Sequence, residues 1–257
     1  MKIGVIGLGL IGGSIFKNLT KQKKYDVIGI SRSLKRKKVY KDLKKLSDCD
    51  VVFVCTPINN TLETLEKLDN ILSKNTIVTD VCSVKSFLSK QEYSFHFVPS
   101  HPMAGTENSG WESSFPELFQ NAKWAITPIN GIYGEKEEIL EAIIESMGAE
   151  ALITTPDEHD RAVAMISHMP MLVAQALCAN IEDNKLAQTL ASSGFRDTTR
   201  LALSNTQMAE DMINMNTDNI KDAIVSFNKQ LNLLLKDDYR KKIEHIKTFR
   251  NSLYSLK

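Results

Sequence analysis

His101 is the histidine of this chain that is best placed to act as a base near neutral pH. It follows Phe95–Val98, an apolar run that predicts a strand, and ligands of open parallel sheets bind beyond the carboxyl ends of the strands. An unperturbed imidazole is largely neutral at pH 7 and can accept a proton. Ser83 and Lys85 follow another predicted strand, so a hydroxyl and an ammonium could reach the same cleft. These residues predict proton-transfer chemistry at one edge of a sheet.

A glycine-rich turn follows the first predicted strand, Lys2–Ile6, and a helical pattern comes after it. A dinucleotide-binding turn uses one glycine for the tight bend, one for backbone approach to a pyrophosphate and one for close packing of helix on strand. The pyrophosphate then lies at the helix N-terminus, where free N–H groups favour anions. We therefore predict a dinucleotide site, the alternative being a glycine turn with a structural role only. The residues of the turn are Gly7, Leu8, Gly9, Leu10, Ile11 and Gly12.

The residues after the second predicted strand, Tyr25–Ile30, indicate the form of the cofactor. An NAD site usually offers a carboxylate there, about twenty residues beyond the glycines, to accept from the ribose 2′-hydroxyl. This chain has Ser31, Arg32 and Ser33 instead, and Asp26 lies at the opposite end of the strand. A guanidinium and two hydroxyls suit a 2′-phosphate. We therefore predict NADP, with NAD as the alternative.

Two later histidines have both a structural and a chemical interpretation. His159 and Asp160 fall in the first turn of a predicted helix, where the carboxylate would stabilise the helix dipole without any further role. His168 precedes Pro170 in the same helical pattern, so a kink is expected nearby. A kinked helix can present His168 to a cleft, and core packing explains the residue equally well.

Two arginines lie close together near residue 200. Arg196 and Arg200 are four residues apart, which places them on one face of a helix. Because Asp197 stands beside them, the local pattern slightly favours an ordinary surface ion-pair cluster over a binding site.

Short apolar runs alternate with helical patterns through the first half of the chain. This alternation predicts a parallel sheet covered by helices on both faces. Beyond the two strands named above, the predicted strands are Asp50–Cys55, Thr76–Thr79, Phe95–Val98 and Trp124–Thr127.

The pattern changes after Ile153. Thr155, Pro156 and Glu158 combine an N-cap threonine, a proline at the first helical position and a glutamate at the third, which is a capping box. From there to Lys257 only helical patterns occur. We predict an α/β, Rossmann-type dinucleotide-binding domain over residues 1–155 and an all-helical domain over residues 156–257.

Charge and composition exclude several classes of protein. The 32 Lys and Arg residues nearly balance 31 Asp and Glu, so the formal charge is +1. That balance does not favour nucleic acid or an anionic membrane as a partner. We expect no apolar run of the 18–20 or so residues that would span a bilayer. The four cysteines have no metal-ligand spacing, which favours a reduced, cytoplasmic protein without a metal site.

Together, these segments resemble the prephenate/arogenate dehydrogenase family, and cyanobacterial-type arogenate dehydrogenases in particular. The resemblance extends over most of the chain, and the set of motifs is specific to the family. The matching stretches are GLGLIGGS at 7–14, CTP at 55–57, DVCSVK at 80–85, HPMAGTENSG at 101–110, HDRAVAMISHMP at 159–170 and LASSGFRDTTR at 190–200.

The resemblance implies an enzyme of tyrosine biosynthesis that oxidatively decarboxylates a cyclohexadienol to a phenol. Hydride leaves ring carbon C4 for the nicotinamide, the C4 hydroxyl loses its proton, and carbon dioxide leaves as the ring becomes aromatic. By the family pattern His101 accepts that proton, and Ser83 hydrogen-bonds at the same place. The pattern also implies a homodimer joined through the helical domain, and Cys55, Thr56 and Pro57 as further cofactor contacts. The substrate-binding residues that it implies are Arg200, Arg196, His168 and Ser167.

Two departures from the family pattern concern substrate and cofactor. Many members that use prephenate have a second histidine three residues after the first, where this chain has Met171. That favours L-arogenate, with prephenate and its product 4-hydroxyphenylpyruvate as the alternative. The segment between Ile30 and Asp50 is short, so we expect a basic helix there, a missing strand and altered contacts to the adenosine.

Two other functions compete with this one. Another two-domain dehydrogenase, of the β-hydroxyacid or imine-reducing type, would share the glycine turn, but it usually relies on a lysine or aspartate of its second domain. An NADP-binding sensor without activity would not need His101, Ser83 and Arg200 together. The chain length also leads us to expect no fused chorismate mutase or regulatory domain.

Overall fold

The structure is a computed structural model that describes residues 1–106, 108–236 and 239–255. Within them, six parallel strands form the main sheet: β1 (Lys2–Ile6), β2 (Asp26–Ile30), β3 (Val39–Tyr40), β4 (Val51–Val54), β5 (Ile77–Asp80) and β6 (His96–Phe97). Their spatial order is β3-β2-β1-β4-β5-β6. The direction of the order reverses between β1 and β4, which opens a crevice at the carboxyl ends of these two strands.

Helices cover both faces of this sheet, as predicted. α1 (Leu10–Lys21) and α3 (Glu135–Ser146) pack on one face, and α2 (Ile58–Asp69) packs on the other. In β4, Val51 and Phe53 contribute to the first face and Val52 and Val54 to the second. A strand buried on both sides is therefore a continuous apolar run in the sequence.

A second, three-stranded sheet carries the candidate base. It consists of β7 (Ser100–Pro102), β8 (Lys123–Ile126) and β9 (Glu150–Ile153), with β8 antiparallel to β7 and parallel to β9. Only β8 was predicted from the sequence. His101 therefore lies inside a short strand and not in a loop. The fully buried Trp124 fixes that strand, because its indole Nε1 donates to Ser100 Oγ over 3.0 Å.

The expectation of a basic helix and a missing strand after β2 was wrong. The chain instead forms the two-residue strand β3, followed by a short 3₁₀ helix at Leu43–Leu46. Backbone pairing holds β3 in place, since Gly29 N donates to the Lys38 carbonyl and Ser31 N donates to the Tyr40 carbonyl. Lys38 has a φ of +61°, and this left-handed conformation turns the chain back toward the sheet.

From Pro156 onward the described residues contain helices and no strand. The predicted capping box forms at Thr155, where the Thr155 hydroxyl accepts from Glu158 N and the Glu158 carboxylate accepts from Thr155 N. A π-helical turn at Ala164–His168 precedes Pro170. This wider turn accommodates the proline, which has no backbone N–H to donate to the preceding turn of the helix. The helices are α4 (Pro156–Val163), α5 (Met169–Ala179), α6 (Lys185–Leu190), α7 (Ser193–Thr198), α8 (Thr206–Met215), α9 (Thr217–Leu234) and α10 (Tyr239–Ser252).

The helical region leaves much apolar surface uncovered. The run Pro156–Ala179 has a mean hydropathy of 1.6 and is 28% buried over its most apolar window. By length and composition alone it could cross a membrane, so the expectation that no such run exists was wrong. Met165 and Ile166 are 56% and 66% exposed. An exposed apolar surface of this kind is typical of a protein interface.

Candidate active site

The glycine turn after β1 has the geometry of a phosphate cradle. Gly7 has a φ of +82°, and a Cβ there would overlap the Cys55 carbonyl oxygen. A Cβ on Gly12 would overlap the carbonyl oxygen of Gly7. The Cβ position of Gly9, in contrast, has no atom of the described residues within 4 Å. The turn therefore packs tightly against β4 on one side and is open on the other.

Helix α1 begins at this open side. Gly9 is its N-cap, no side chain in the described part of the chain caps the helix, and the residues of its first turn are not acidic. The free N–H groups and the positive end of the helix dipole therefore favour an anion. These features fit the pyrophosphate of a dinucleotide. Leu10 and Ile11 belong to this first turn.

The segment Cys55–Pro57 adjoins the glycine turn, since backbone atoms of Cys55 and Thr56 lie next to the Cβ position of Gly7. Thr56 Oγ1 lies 3.1 Å from Thr61 Oγ1, which in turn lies 3.2 Å from Cys82 Sγ. These contacts connect the loop after β4 to the loop after β5. The carboxyl ends of β1, β4 and β5 consequently form one continuous edge of the sheet.

The end of β2 presents a cation and hydroxyls. Arg32 and Ser33 are exposed, and Ser31 Oγ accepts from Leu34 N over 3.1 Å and so shapes the loop. The pKa of Glu63 on α2 is lowered by its hydrogen bond from Lys67 and also by Arg32. The guanidinium of Arg32 therefore lies toward α2.

Asp26 is turned away from this site. It lies at the amino end of β2 and pairs with Lys38 over 2.6 Å. The carboxylate that an NAD site would place at the end of β2 is absent from residues 30–33.

Three side chains form a hydrogen-bonded chain that joins the two parts of the molecule. His101 Nδ1 lies 2.9 Å from His159 Nε2, and His159 Nδ1 lies 2.8 Å from Asp160 Oδ1. His159 and Asp160 are 4% and 1% exposed, whereas His101 is only partly buried. The outermost member of the chain is therefore His101.

The electrostatic surroundings of the hydrogen-bonded chain keep His101 neutral. Burial, together with the neighbouring His159, Lys85 and His168, lowers the pKa of His101 well below its usual 6.5. Burial alone would raise the pKa of Asp160, but hydrogen bonds from His159, Ser86 and Lys85 hold it below its usual value. The hydrogen-bonded chain thus has the ionised carboxylate of Asp160 at one end and the neutral imidazole of His101 at the other.

Lys85 anchors this hydrogen-bonded chain of side chains to the nucleotide-binding part of the molecule. Its backbone N–H and that of Ser86 each donate to the Asp160 carboxylate over 2.8 Å. Its ammonium pairs with Asp80 and donates to the Ser100 carbonyl over 2.7 Å. Lys85 and Asp80 are both fully buried. One lysine therefore holds together the end of β5, the start of β7 and Asp160 of α4.

His168 adds a buried hydrogen-bond donor. Its Nδ1 lies 3.2 Å from Asn216 Nδ2, and that amide nitrogen also donates to the Asp160 carbonyl over 2.8 Å. Because Asn216 supplies N–H there, His168 Nδ1 must accept, and Nε2 carries the proton. Burial lowers the pKa of His168 to about 4, and its fully buried Nε2 has no hydrogen-bond partner among the described residues. This N–H is free to donate to a ligand.

The other sequence-predicted residues are not members of this hydrogen-bonded chain. Ser83 is half-buried in the segment after β5, and within the part of the chain that the structure describes its hydroxyl makes no hydrogen bond to His101. Ser167 is half-buried in the π-helical turn. Arg196 is exposed and pairs with Asp197 over 3.1 Å. Arg200 is exposed at the start of a 3₁₀ turn that packs on α5 through Leu201.

Sequence reasoning missed the partners of His101. It interpreted Asp160 as a helix-dipole residue, and it did not single out Asn216. The adjacent His159-Asp160 pair at a strong helix start was the available signal, but the contact to His101 spans 58 residues of sequence.

The site combines a turn suited to a dinucleotide, a neutral imidazole that can accept a proton and a buried imidazole N–H that can donate a hydrogen bond. The fold and these groups define a two-domain oxidoreductase with a nicotinamide cofactor. Residues 21–153 match the family described as prephenate dehydrogenase, nucleotide-binding domain, and residues 155–250 match prephenate dehydrogenase, dimerization domain. The chain belongs to the prephenate dehydrogenase family.

Relatives and solved structures agree with this assignment. The chain is 30% identical to the prephenate dehydrogenase of Lactococcus lactis over 251 residues, covering 90% of this chain and 69% of the relative. It is 34% identical to Synechocystis arogenate dehydrogenase, with a TM-score of 0.79 over 98% of this chain and 97% of that one.

A further structure contains ligands. Prephenate dehydrogenase from A. aeolicus in complex with hydroxyphenyl propionate and NAD+ is 27% identical, with a TM-score of 0.85 over 100% of this chain and 98% of that one. The similarity extends through both parts of the fold, so the competing dehydrogenase types are not needed to explain it.

Proposed function

We propose that this protein catalyses the NADP-dependent oxidative decarboxylation of L-arogenate to L-tyrosine. The observation that carries the proposal is the neutral His101, held by His159 and Asp160 beside the sheet edge that bears the glycine turn. A base at this position can take the proton of a ring hydroxyl while the same carbon loses hydride. The nicotinamide, when bound, supplies the hydride acceptor.

The residues of the site divide the chemistry between them. His101 Nε2 accepts the C4 hydroxyl proton, and the C–H bond at C4 breaks toward the cofactor. The bond from the ring to its carboxylate then breaks, its electron pair enters the ring, and carbon dioxide leaves. The His168 Nε2–H is suited to donate to an oxygen of the substrate. Ser83 and Ser167 border the same region and are proposed to contact substrate.

Arg200 is proposed to bind a substrate carboxylate, with Arg196 in a lesser role. Arg200 stands on a turn that packs against α5, the helix that directly follows His168. Arg196 already has a carboxylate partner in Asp197, whereas no ion pair to Arg200 is formed among the described residues. An arginine without an acidic partner can take a carboxylate in a bidentate manner.

The choice of arogenate follows from Met171. Its side chain is 3% exposed and packs with Ala209 and Met212 on α8. It therefore offers neither charge nor a hydrogen bond where many prephenate-using members have histidine. The second candidate is prephenate, which the names of the Lactococcus lactis and Bacillus subtilis relatives favour.

NADP is proposed on account of Ser31, Arg32 and Ser33, and NAD is the alternative. The exposed apolar run over α4 and α5 and the matched dimerization domain support a homodimer joined through the helical domain. We place the enzyme in the cytoplasm, in keeping with its four free cysteines.

The deciding experiment measures initial rates of reduced-cofactor formation with arogenate and with prephenate, each with NADP and NAD. A strong preference for arogenate supports the proposal. Equal or faster turnover of prephenate would keep the mechanism and overturn the substrate. The control is His101→Asn, which should lose about 10²–10⁴-fold in kcat while keeping its affinity for the cofactor. No turnover with either substrate would overturn the function.

A further inference from the structure

The hydrogen-bonded chain from His101 to Asp160 has a defined direction. The Asp160 carboxylate accepts three N–H groups, from His159 Nδ1 and from the backbones of Lys85 and Ser86. A carboxylate with three such donors is ionised. His159 Nδ1 must therefore carry the proton of that ring, and its Nε2 presents a lone pair.

This arrangement selects the tautomer of His101. Because His159 Nε2 can only accept, His101 Nδ1 must donate across the 2.9 Å that separate them. The lone pair of His101 then lies on Nε2, the nitrogen that a substrate hydroxyl would contact. His159 thus determines which nitrogen of His101 is the base.

A proton on His101 would be unfavourable without help. The ammonium of Lys85 and the imidazoles of His159 and His168 stand near it, and the ring is desolvated. Asp80 cannot compensate, since it is already paired with Lys85. Asp160 is the carboxylate that reaches His101 through hydrogen bonds.

We propose that His159 and Asp160 are positioning residues that form a proton relay for His101, an inference that rests on the proposed function. A proton that leaves the substrate hydroxyl bonds to His101 Nε2, and the His101 Nδ1 proton passes to His159 Nε2. His159 then carries both protons and the positive charge, beside the ionised Asp160. The heavy atoms keep their places, and the charge leaves the ring that contacts the substrate. After product release the proton returns by the same route and leaves through the partly exposed His101.

Helix-dipole stabilisation is the competing explanation, and Asp157 is a matched control. It lies in the first turn of α4, three residues before Asp160, and its carboxylate accepts from Ser86 Oγ over 3.0 Å, so it also connects the two parts of the molecule. Asp157→Asn removes the same charge from the helix end but leaves the relay intact. Asp160→Asn removes a charge from the helix end and also interrupts the relay.

The kinetic test compares these two variants across pH. We expect Asp160→Asn to lower kcat/KM about 100-fold or more, with cofactor affinity unchanged. The acid limb of its pH profile should move to lower pH, because the cation on the histidine pair loses its carboxylate. Asp157→Asn should keep the wild-type profile. Wild-type activity in Asp160→Asn, or a lowered rate with an unmoved acid limb, would overturn the relay.

A second measurement does not depend on turnover. ¹⁵N chemical shifts of the ring nitrogens should show His101 and His159 as Nδ1–H tautomers and His168 as the Nε2–H tautomer in the free enzyme. Finding His101 as the Nε2–H form in the wild-type enzyme would overturn the relay. If neither substrate is turned over, the proposed function fails while these shifts still decide the proton positions.

Discussion

Lys85 and Asp80 form an ion pair with no exposure to solvent, and the ammonium of Lys85 also holds the carbonyl of the residue that precedes His101. The backbone N–H of the same lysine holds Asp160. Burying two charges carries a large desolvation penalty, so such a pair stabilises a fold little in net terms. The contacts of Lys85 therefore fix the positions of His101 and Asp160 relative to each other.

Removing one partner of this pair should be strongly destabilising. Lys85→Met leaves Asp80 charged, buried and uncompensated, and we expect a loss of about 3–5 kcal/mol in the free energy of unfolding. Urea denaturation monitored by circular dichroism measures it. Lys67→Met is the control, since Lys67 pairs with Glu63 on the exposed face of α2 over 2.6 Å and should have no measurable effect. Equal losses in the two variants would contradict a special role for the buried pair.

Much of the nucleotide-binding fold was predictable because its signals are local. The apolar runs of β2, β4, β5, β6 and β8 predicted strands that the structure reproduces to within one residue at each end. The glycine turn and the capping box at Thr155 also depend only on neighbouring residues. Each of these patterns specifies its own structure before any distant contact forms.

The remaining elements depend on pairing across long stretches of sequence. β3 and β7 are only two and three residues long, and β7 contains Pro102, so neither shows a period of its own. The chain from His101 to Asp160 joins β7 to α4, and no single segment indicates it. Asp160 alone looks like any acidic residue at a helix start, which is why its contact with His159 went unrecognised.

Substitutions of Gly12 and Gly9 should affect different properties of the protein, stability in the first case and cofactor binding in the second. Gly12→Ala places a methyl group against the Gly7 carbonyl, so we expect a loss of about 1–3 kcal/mol in stability. Gly9→Ala has open space and a φ of −82°, so it should keep its stability. It should nevertheless weaken cofactor binding about tenfold or more, equivalent to ~1.4 kcal/mol, because the methyl group occupies the phosphate position.

Thermal unfolding and cofactor titration of the two glycine variants separate these effects. Gly105→Ala, whose Cβ position is also open, serves as the control away from the turn. Unchanged cofactor affinity in Gly9→Ala would contradict the assignment of the phosphate position.

Arg32 should control the choice of cofactor. Arg32→Asp replaces the guanidinium with a carboxylate that repels a 2′-phosphate and accepts from a 2′-hydroxyl. We expect the ratio of kcat/KM with NADP to that with NAD to fall by about 10- to 100-fold. Lys35→Asp makes the same change of net charge three residues away on an exposed site and should leave the ratio unchanged. An unchanged ratio in Arg32→Asp would refute this role.

Arg200 should act on substrate and not on cofactor. Loss of a charge-assisted carboxylate contact is worth about 1.5–3 kcal/mol, so Arg200→Ala should lower kcat/KM for the substrate by about 10- to 100-fold. The effect should appear mainly in KM, with the KM for the cofactor unchanged. Arg196→Ala, whose guanidinium already pairs with Asp197, should have a smaller effect. If Arg196→Ala lowered kcat/KM more than Arg200→Ala, Arg196 and not Arg200 would be the main ligand of the substrate carboxylate.

The stability of the protein should fall on mild acidification because His168 is buried in its neutral form. Burial lowers its pKa from 6.5 to about 4, with Asp160 opposing and His159 reinforcing that shift. The unfolded chain therefore takes up this proton first. The contribution of His168 is complete above pH 6.5 and is lost as the pH falls toward 4, at up to about 1.4 kcal/mol per pH unit. Urea denaturation at a series of pH values measures the free energy of unfolding across this range. The slope of that free energy against pH should be smaller for His168→Gln than for the wild type. His245→Gln, on the exposed surface of α10, should keep the wild-type slope, and a wild-type slope in His168→Gln would show that another group is responsible.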